Sequence, residues 1–147
     1  MNNHKPLLEY LFLLVIILLA VTTFFYLKDQ EITLCQKALS GLVNGADAAQ
    51  RYIDWRKLYA MEINVGASFG KLRNEKERTN YKKEFIKNFS FVFKKVGGEI
   101  GAFTNWRIHE RRSNVVVVAA DYALYNKTLL FSVSKSFKRK LVGLQWK

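Results

Sequence analysis

Cysteine and proline are nearly absent from this chain of 147 residues, which holds one of each, Cys35 and Pro6. A lone cysteine excludes an intramolecular disulfide framework, so the folded part must be held by its core, and Cys35 reads best as a small buried apolar residue. Cys35 has no partner at ligand spacing, and His4 and His109 lie far apart in the chain, which argues against a metal centre. Gly97-Gly98 and Gly101 lack the Lys-Ser/Thr element of a phosphate-cradling loop, and no G-x-S-x-G elbow is present. No cofactor is expected. No internal repeat or low-complexity segment occurs, and the long stretch after Pro6 without proline predicts regular elements joined by short turns.

Charge of either sign is missing from Tyr10 to Leu27 (YLFLLVIILLAVTTFFYL), a run of eighteen residues. A helix rises about 1.5 Å per residue, so this run together with the residues back to Pro6 matches a hydrocarbon core of about 30 Å. Without water, a helix is the form in which one stretch of chain satisfies all its backbone donors and acceptors. The expected organisation is a short tail over 1–6, a transmembrane helix over 7–27 and a single domain over 28–147.

Other uses of the run fit less well. A cleaved signal would be shorter and end at a small-x-small site, whereas this run ends in Phe24, Phe25, Tyr26 and Leu27. Leu34 before Cys35 does not suit a lipoprotein site, and residues 1–10 contain no glycine for a pilin-type cleavage. Lys5 and the amino terminus on one side nearly balance Lys28 and Lys37, offset by Asp29 and Glu31, on the other. The preferred arrangement is a single-pass protein of the inner or plasma membrane with its tail in the cytoplasm and its domain outside.

Lys5 and Glu9 apart, every charge lies beyond the run, so the net charge of +12 belongs to the domain. Such a surface suits anionic partners, with lipid headgroups the nearest to a tethered chain. The cationic candidates are Lys82, Lys83, Lys87, Lys94, Arg111 and Arg112. Nucleic acid is disfavoured, because the aromatics of the basic segment 71–95 fall on an apolar stripe and Glu75, Glu77 and Glu84 interrupt its charge.

Helical spacing runs through Ile32, Leu34, Cys35, Ala38, Leu39, Leu42 and Val43, and Asn44-Gly45 ends that helix. Asp47 is the expected N-cap of a short helix from Ala48 to about Arg56. The stretch from Tyr59 to Phe69 is ambiguous between broken helix and loop. A long helix follows over 74–96, with Tyr81, Phe85, Phe89, Val92, Phe93 and Val96 on one stripe and Gly97-Gly98 as its stop. The period then changes to two. Strands are expected at 101–111, 115–124, 128–134 and 138–146, joined by tight turns into an antiparallel meander. Helices over about 30–96 and strands over about 101–147 make an α+β domain, with helices packed on a curved antiparallel sheet.

That order of elements resembles the nuclear-transport-factor-two-like superfamily. The matching features are the helix ending at Asn44-Gly45, the short helix with Tyr52 and Trp55, the long helix running into Lys95-Val96-Gly97, and the strand with Trp106. The segments NVVVVAADYAL and KLVGLQW complete the pattern, and a cystatin-like or other helix-on-sheet fold is the main competitor. The resemblance implies a cone-shaped pocket under a bent sheet, here lined by Tyr52, Trp55, Phe85, Phe89, Phe103 and Trp106. With the anchor in front, the layout is also similar to the inner-membrane assembly subunit of type IV secretion systems. The chain is short for that family and lacks its Asn-Pro-x-Gly turn, so no binding residues carry over.

Enzymes of this superfamily place acid-base residues in the cone, for which His109, Asp121, Tyr122 and Asp54 are the candidates. Strand alternation sets His109 opposite Ile108 and on one side with Arg107 and Arg111, which points to solvent. The expected function is therefore a non-catalytic protein-interaction or assembly subunit anchored in a membrane, whose partners are other membrane proteins or further copies of itself. The alternatives are a tethered carrier of a small apolar ligand or lipid, and a tethered enzyme using His109 and Asp121.

Overall fold

The computed structural model describes the backbone of residues 5–28 and 30–147 and the side chains of residues 10–24 and 30–147. The chain divides into two compact units, Met1–Gln30 and Glu31–Lys147.

The first unit is helix α1, Lys5–Lys28. Its large apolar side chains stand exposed, from Tyr10, Leu11 and Phe12 through Ile16 and Leu18 to Phe24. The hydroxyls of Thr22 and Thr23 donate to the carbonyls of Leu18 and Leu19 at 3.0 and 2.6 Å, so neither depends on water for a partner. Among the described residues, however, no helix is long and apolar enough to cross a membrane. The segment expected as a transmembrane helix, 7–27, lies within helix α1. Most of the tail expected at 1–6 lies outside the described residues.

The second unit is α+β, with helices on a mixed six-stranded sheet. Helix α2, Gln30–Val43, buries Cys35, Ala38, Leu39, Leu42 and Val43, close to the stripe that the sequence predicts. Gly45 sits at φ 66° while Ala46 N–H donates to the Gly41 carbonyl, a left-handed cap that Asn44-Gly45 supplies. The following segment differs from expectation. Asp47–Tyr52 is a 3₁₀ turn whose N-cap, Ala46, makes no side-chain bond. It stops early because Ile53 bridges to Leu141 and the Asp54 N–H donates to the Leu141 carbonyl, which draws the chain onto the sheet.

The ambiguous stretch resolves into a hairpin, β1 Tyr59–Ala60 and β2 Ile63–Asn64, followed by helix α3, Val65–Gly70. Helix α4, Glu75–Lys95, is capped by Asn74, whose side chain accepts the Glu77 N–H at 2.9 Å while Glu77 accepts the Arg73 N–H at 2.8 Å. Strands β3 Phe103–Arg111, β4 Val115–Tyr122, β5 Lys127–Ser134 and β6 Leu141–Trp146 complete the chain.

The sheet order is β2-β1-β6-β5-β4-β3. The last four strands form the expected antiparallel meander, but β1 lies parallel to β6, so the sheet is mixed rather than wholly antiparallel. Helices followed by a mostly antiparallel sheet are consistent with the nuclear-transport-factor-two-like layout. The core lies between the helices and one sheet face, where Cys35, Leu39, Leu42 and Ile86 meet Val118, Tyr122, Phe131, Val133 and Leu144. Each fully buried Leu or Phe there contributes roughly 1.5–3 kcal/mol.

Candidate functional site

The six aromatics expected to line a ligand cone all belong to or pack against one hydrophobic cluster, and those that line described cavities do so in different ones. Phe103 and Trp106 sit in a filled aromatic cluster: Phe103 packs on Tyr122 at 4.5 Å and on Phe93 and Trp146, while Trp106 packs on Phe131 at 5.2 Å. Trp55 is buried edge-on against Phe85 at 5.5 Å, its indole N–H donating to the Gln50 carbonyl. Tyr52 carries the Arg51 guanidinium over its ring at 4.9 Å.

Phe85 and Phe89 alone line an open apolar groove of about 400 Å³ between α4 and the β1–β2 hairpin. The hairpin supplies Ala60, Met61 and Ile63 to it, and Tyr81 and Val92 lie along the helix side. This explains a difference in the α4 stripe. The buried residues are Ile86 and Ser90, whereas Phe85 and Phe89 are half-buried and Val92 is exposed: Phe85 and Phe89 pack against the core on one side and line the groove on the other. The two turn residues of the hairpin, Met61 and Glu62, have φ of 48° and 68°, a left-handed conformation in which non-glycine residues are strained. The Met61 N–H donates to the Leu144 carbonyl at 2.8 Å, and this bond holds the turn against the sheet.

The cationic candidates do not gather in one patch. Lys82 is half-buried with its ammonium over the Phe69 ring at 5.6 Å, while Lys83, Lys87 and Lys94 stand exposed along α4. Arg112 is paired with Glu110 at 2.7 Å. Arg111 turns inward to Glu31 at 3.7 Å, so it does not share a face with Arg107 as strand alternation predicts. The cause is a register shift in β3 between Ile108 and Glu110, which puts Arg111 opposite Val116 and Arg107 opposite Ala119.

Glu31 had no part in the sequence-based site, yet it is 3% exposed and faces both Arg111 and Arg139, the latter at 3.5 Å. Its local sequence, Asp29-Gln30-Glu31-Ile32-Thr33, carries no signal of a partner, since both arginines come from the far end of the chain. Burial pushes the neighbouring Cys35 thiol well above its ordinary range, and the Glu31 carboxylate adds to that shift.

The candidate acid-base residues are dispersed. His109 is exposed and lines none of the described cavities. Asp121 accepts from Arg107 at 2.9 and 3.1 Å, from Asn105 at 2.7 Å and from Thr128 at 2.9 Å. Those bonds, led by that from Arg107, hold its carboxyl down to about 2. The buried Tyr122 hydroxyl accepts the Glu99 N–H at 3.0 Å, and Asp54 accepts the Arg56 N–H at 3.2 Å. No group of three or more His, Cys, Asp or Glu among the described residues is placed to hold a metal ion.

No protein-family model, no characterised protein and no solved structure matches this chain.

Proposed function

We propose that this protein is a non-catalytic interaction or assembly subunit anchored in a membrane by α1, with an extracytoplasmic domain of the nuclear-transport-factor-two-like kind. The observation that carries the reading is the exposed apolar surface of Tyr10 to Phe24 within an uncharged run. Such a surface is costly in water and stable in hydrocarbon, and Thr22 and Thr23 bond within the helix as a lipid setting demands. Anchoring concentrates the domain in the plane of the membrane, where weak contacts with other membrane proteins or further copies gain from proximity. Anionic headgroups suit its net charge of +12. Extraction of the full chain in mild detergent should bring defined membrane partners or an oligomer with it, and a clean monomer contradicts the assembly role.

The groove of about 400 Å³ favours a second reading, a tethered site for a small apolar ligand or lipid chain. Its test is displacement of a fluorescent fatty-acid probe. Ile63→Lys, which puts a charge on the exposed groove wall, should abolish binding if the groove is the site.

A further inference from the structure

Three segments that are distant in sequence bring basic side chains around one concavity of about 470 Å³. Arg56 comes from the loop before β1, Arg78 and Lys82 from the first half of α4, and Lys138 and Lys140 from the β5–β6 connection, with the Ser136 hydroxyl beside them. A second cavity of about 320 Å³, lined by Arg56, Gly66, Phe69, Gly70 and Arg78, shares Arg56 and Arg78 with it. Two acids, Asp54 and Glu75, also line the larger concavity, against the five cations Arg56, Arg78, Lys82, Lys138 and Lys140, so cations remain in excess. Asp54 is turned to the Arg56 N–H, and Glu75 is exposed and reaches Arg78 only at 3.8 Å. Among the described residues, the Arg56 and Lys138 side chains have no ion-pair partner.

The site is built rather than incidental. The Arg56 loop is packed so closely on α3 that a Cβ at Gly66 would fall 2.3 Å from the Arg56 carbonyl oxygen. Lys140 donates to the Arg51 carbonyl. Arg78 is held by a bond to the Leu72 carbonyl at 3.4 Å, and its Nε–H is buried without a hydrogen-bond partner. The rest of the Arg78 guanidinium stays partly exposed, so its outer nitrogens can reach an anion in the concavity.

We infer that this concavity binds a phosphate group. Guanidinium forks and ammonium ions contributed by three separate segments suit a tetrahedral oxyanion with many acceptor sites better than a planar carboxylate. The concavity has room for a phosphate monoester and a small substituent. The chemistry is shared by a soluble phosphate ester and by a monoester lipid headgroup such as that of phosphatidic acid. The inference does not depend on whether α1 crosses a bilayer.

The test uses the full chain in neutral detergent, titrated in one arm with inorganic phosphate and in the other with mixed micelles carrying phosphatidic acid. Binding is followed by the fluorescence of Trp55, which lines the concavity, and by the thermal midpoint. Saturable binding in at least one arm is expected, and the tighter arm identifies the source. Arg56→Ala and Lys138→Ala should each weaken it about tenfold, as losing one charged hydrogen bond does. Arg78→Lys, which keeps the charge and removes the Nε–H, should also weaken it, while Lys127→Ala on the exposed start of β5 should not. The inference is overturned if neither arm saturates, or if Lys127→Ala weakens binding as much as Arg56→Ala.

Discussion

The Ser90 hydroxyl, in the second half of α4, donates to the Val43 carbonyl at the end of α2 at 2.6 Å. Helix ends leave their last carbonyls without partners, and here a residue 47 positions away satisfies one of them inside the core. The pair fixes α4 across α2, and with it the helix wall of the apolar groove. Ser90→Ala leaves that carbonyl buried and unpaired. The expected loss is about 1–2 kcal/mol, read as a lower denaturant midpoint with an unchanged slope.

Glu31 joins the start of α2 to the far ends of β3 and the β5–β6 connection through Arg111 and Arg139. Replacing it with Gln removes the shared anion and leaves two guanidinium groups facing a neutral amide. Breaking a wholly buried pair costs about 3–5 kcal/mol, but both arginines here remain partly exposed, so a loss of about 2 kcal/mol is expected. Equilibrium unfolding at neutral pH checks this, and an unchanged midpoint would show that the three groups do not act as a node.

Asp121 makes stability depend on acid. Its folded pKa, held at about 2, lies below the unfolded value of about 3.9, so the folded state favours the charged form. The resulting contribution is fully present above about pH 4 and is lost as pH falls toward 2. Asp121→Asn should lower the unfolding midpoint at neutral pH and flatten its dependence between about pH 4 and 2. Parallel slopes for the two proteins in that window would contradict the assignment.

Much of this architecture is legible in the sequence, because long amphipathic segments announce their own period. Both major helices and all four meander strands lie close to where the spacing of apolar residues sets them. Gly45 and Gly97 mark the ends of α2 and α4 because each takes the positive φ that a left-handed cap needs. The β1–β2 hairpin was not legible. Its strands are two residues each, too short to show alternation, and its turn uses Met61 and Glu62 where glycine or asparagine would have given a signal. Strand alternation sets Arg111 on the wrong face, because one register shift in β3 reverses every parity beyond it. The site residues were the least legible. Arg56, Arg78 and Lys138 lie apart in the chain and meet only through tertiary packing, which no local pattern encodes.

The central claim is that α1 is inserted in a bilayer, and alkaline carbonate extraction of membranes from cells making the full chain tests it most directly. Alkali strips proteins held by charge, which matters for a chain of net charge +12, and leaves those held by a buried apolar helix. The account predicts that the chain stays in the membrane pellet, and that replacing Leu14 and Ile17 with Lys shifts it to the supernatant. Release of the unaltered chain into the supernatant would contradict it.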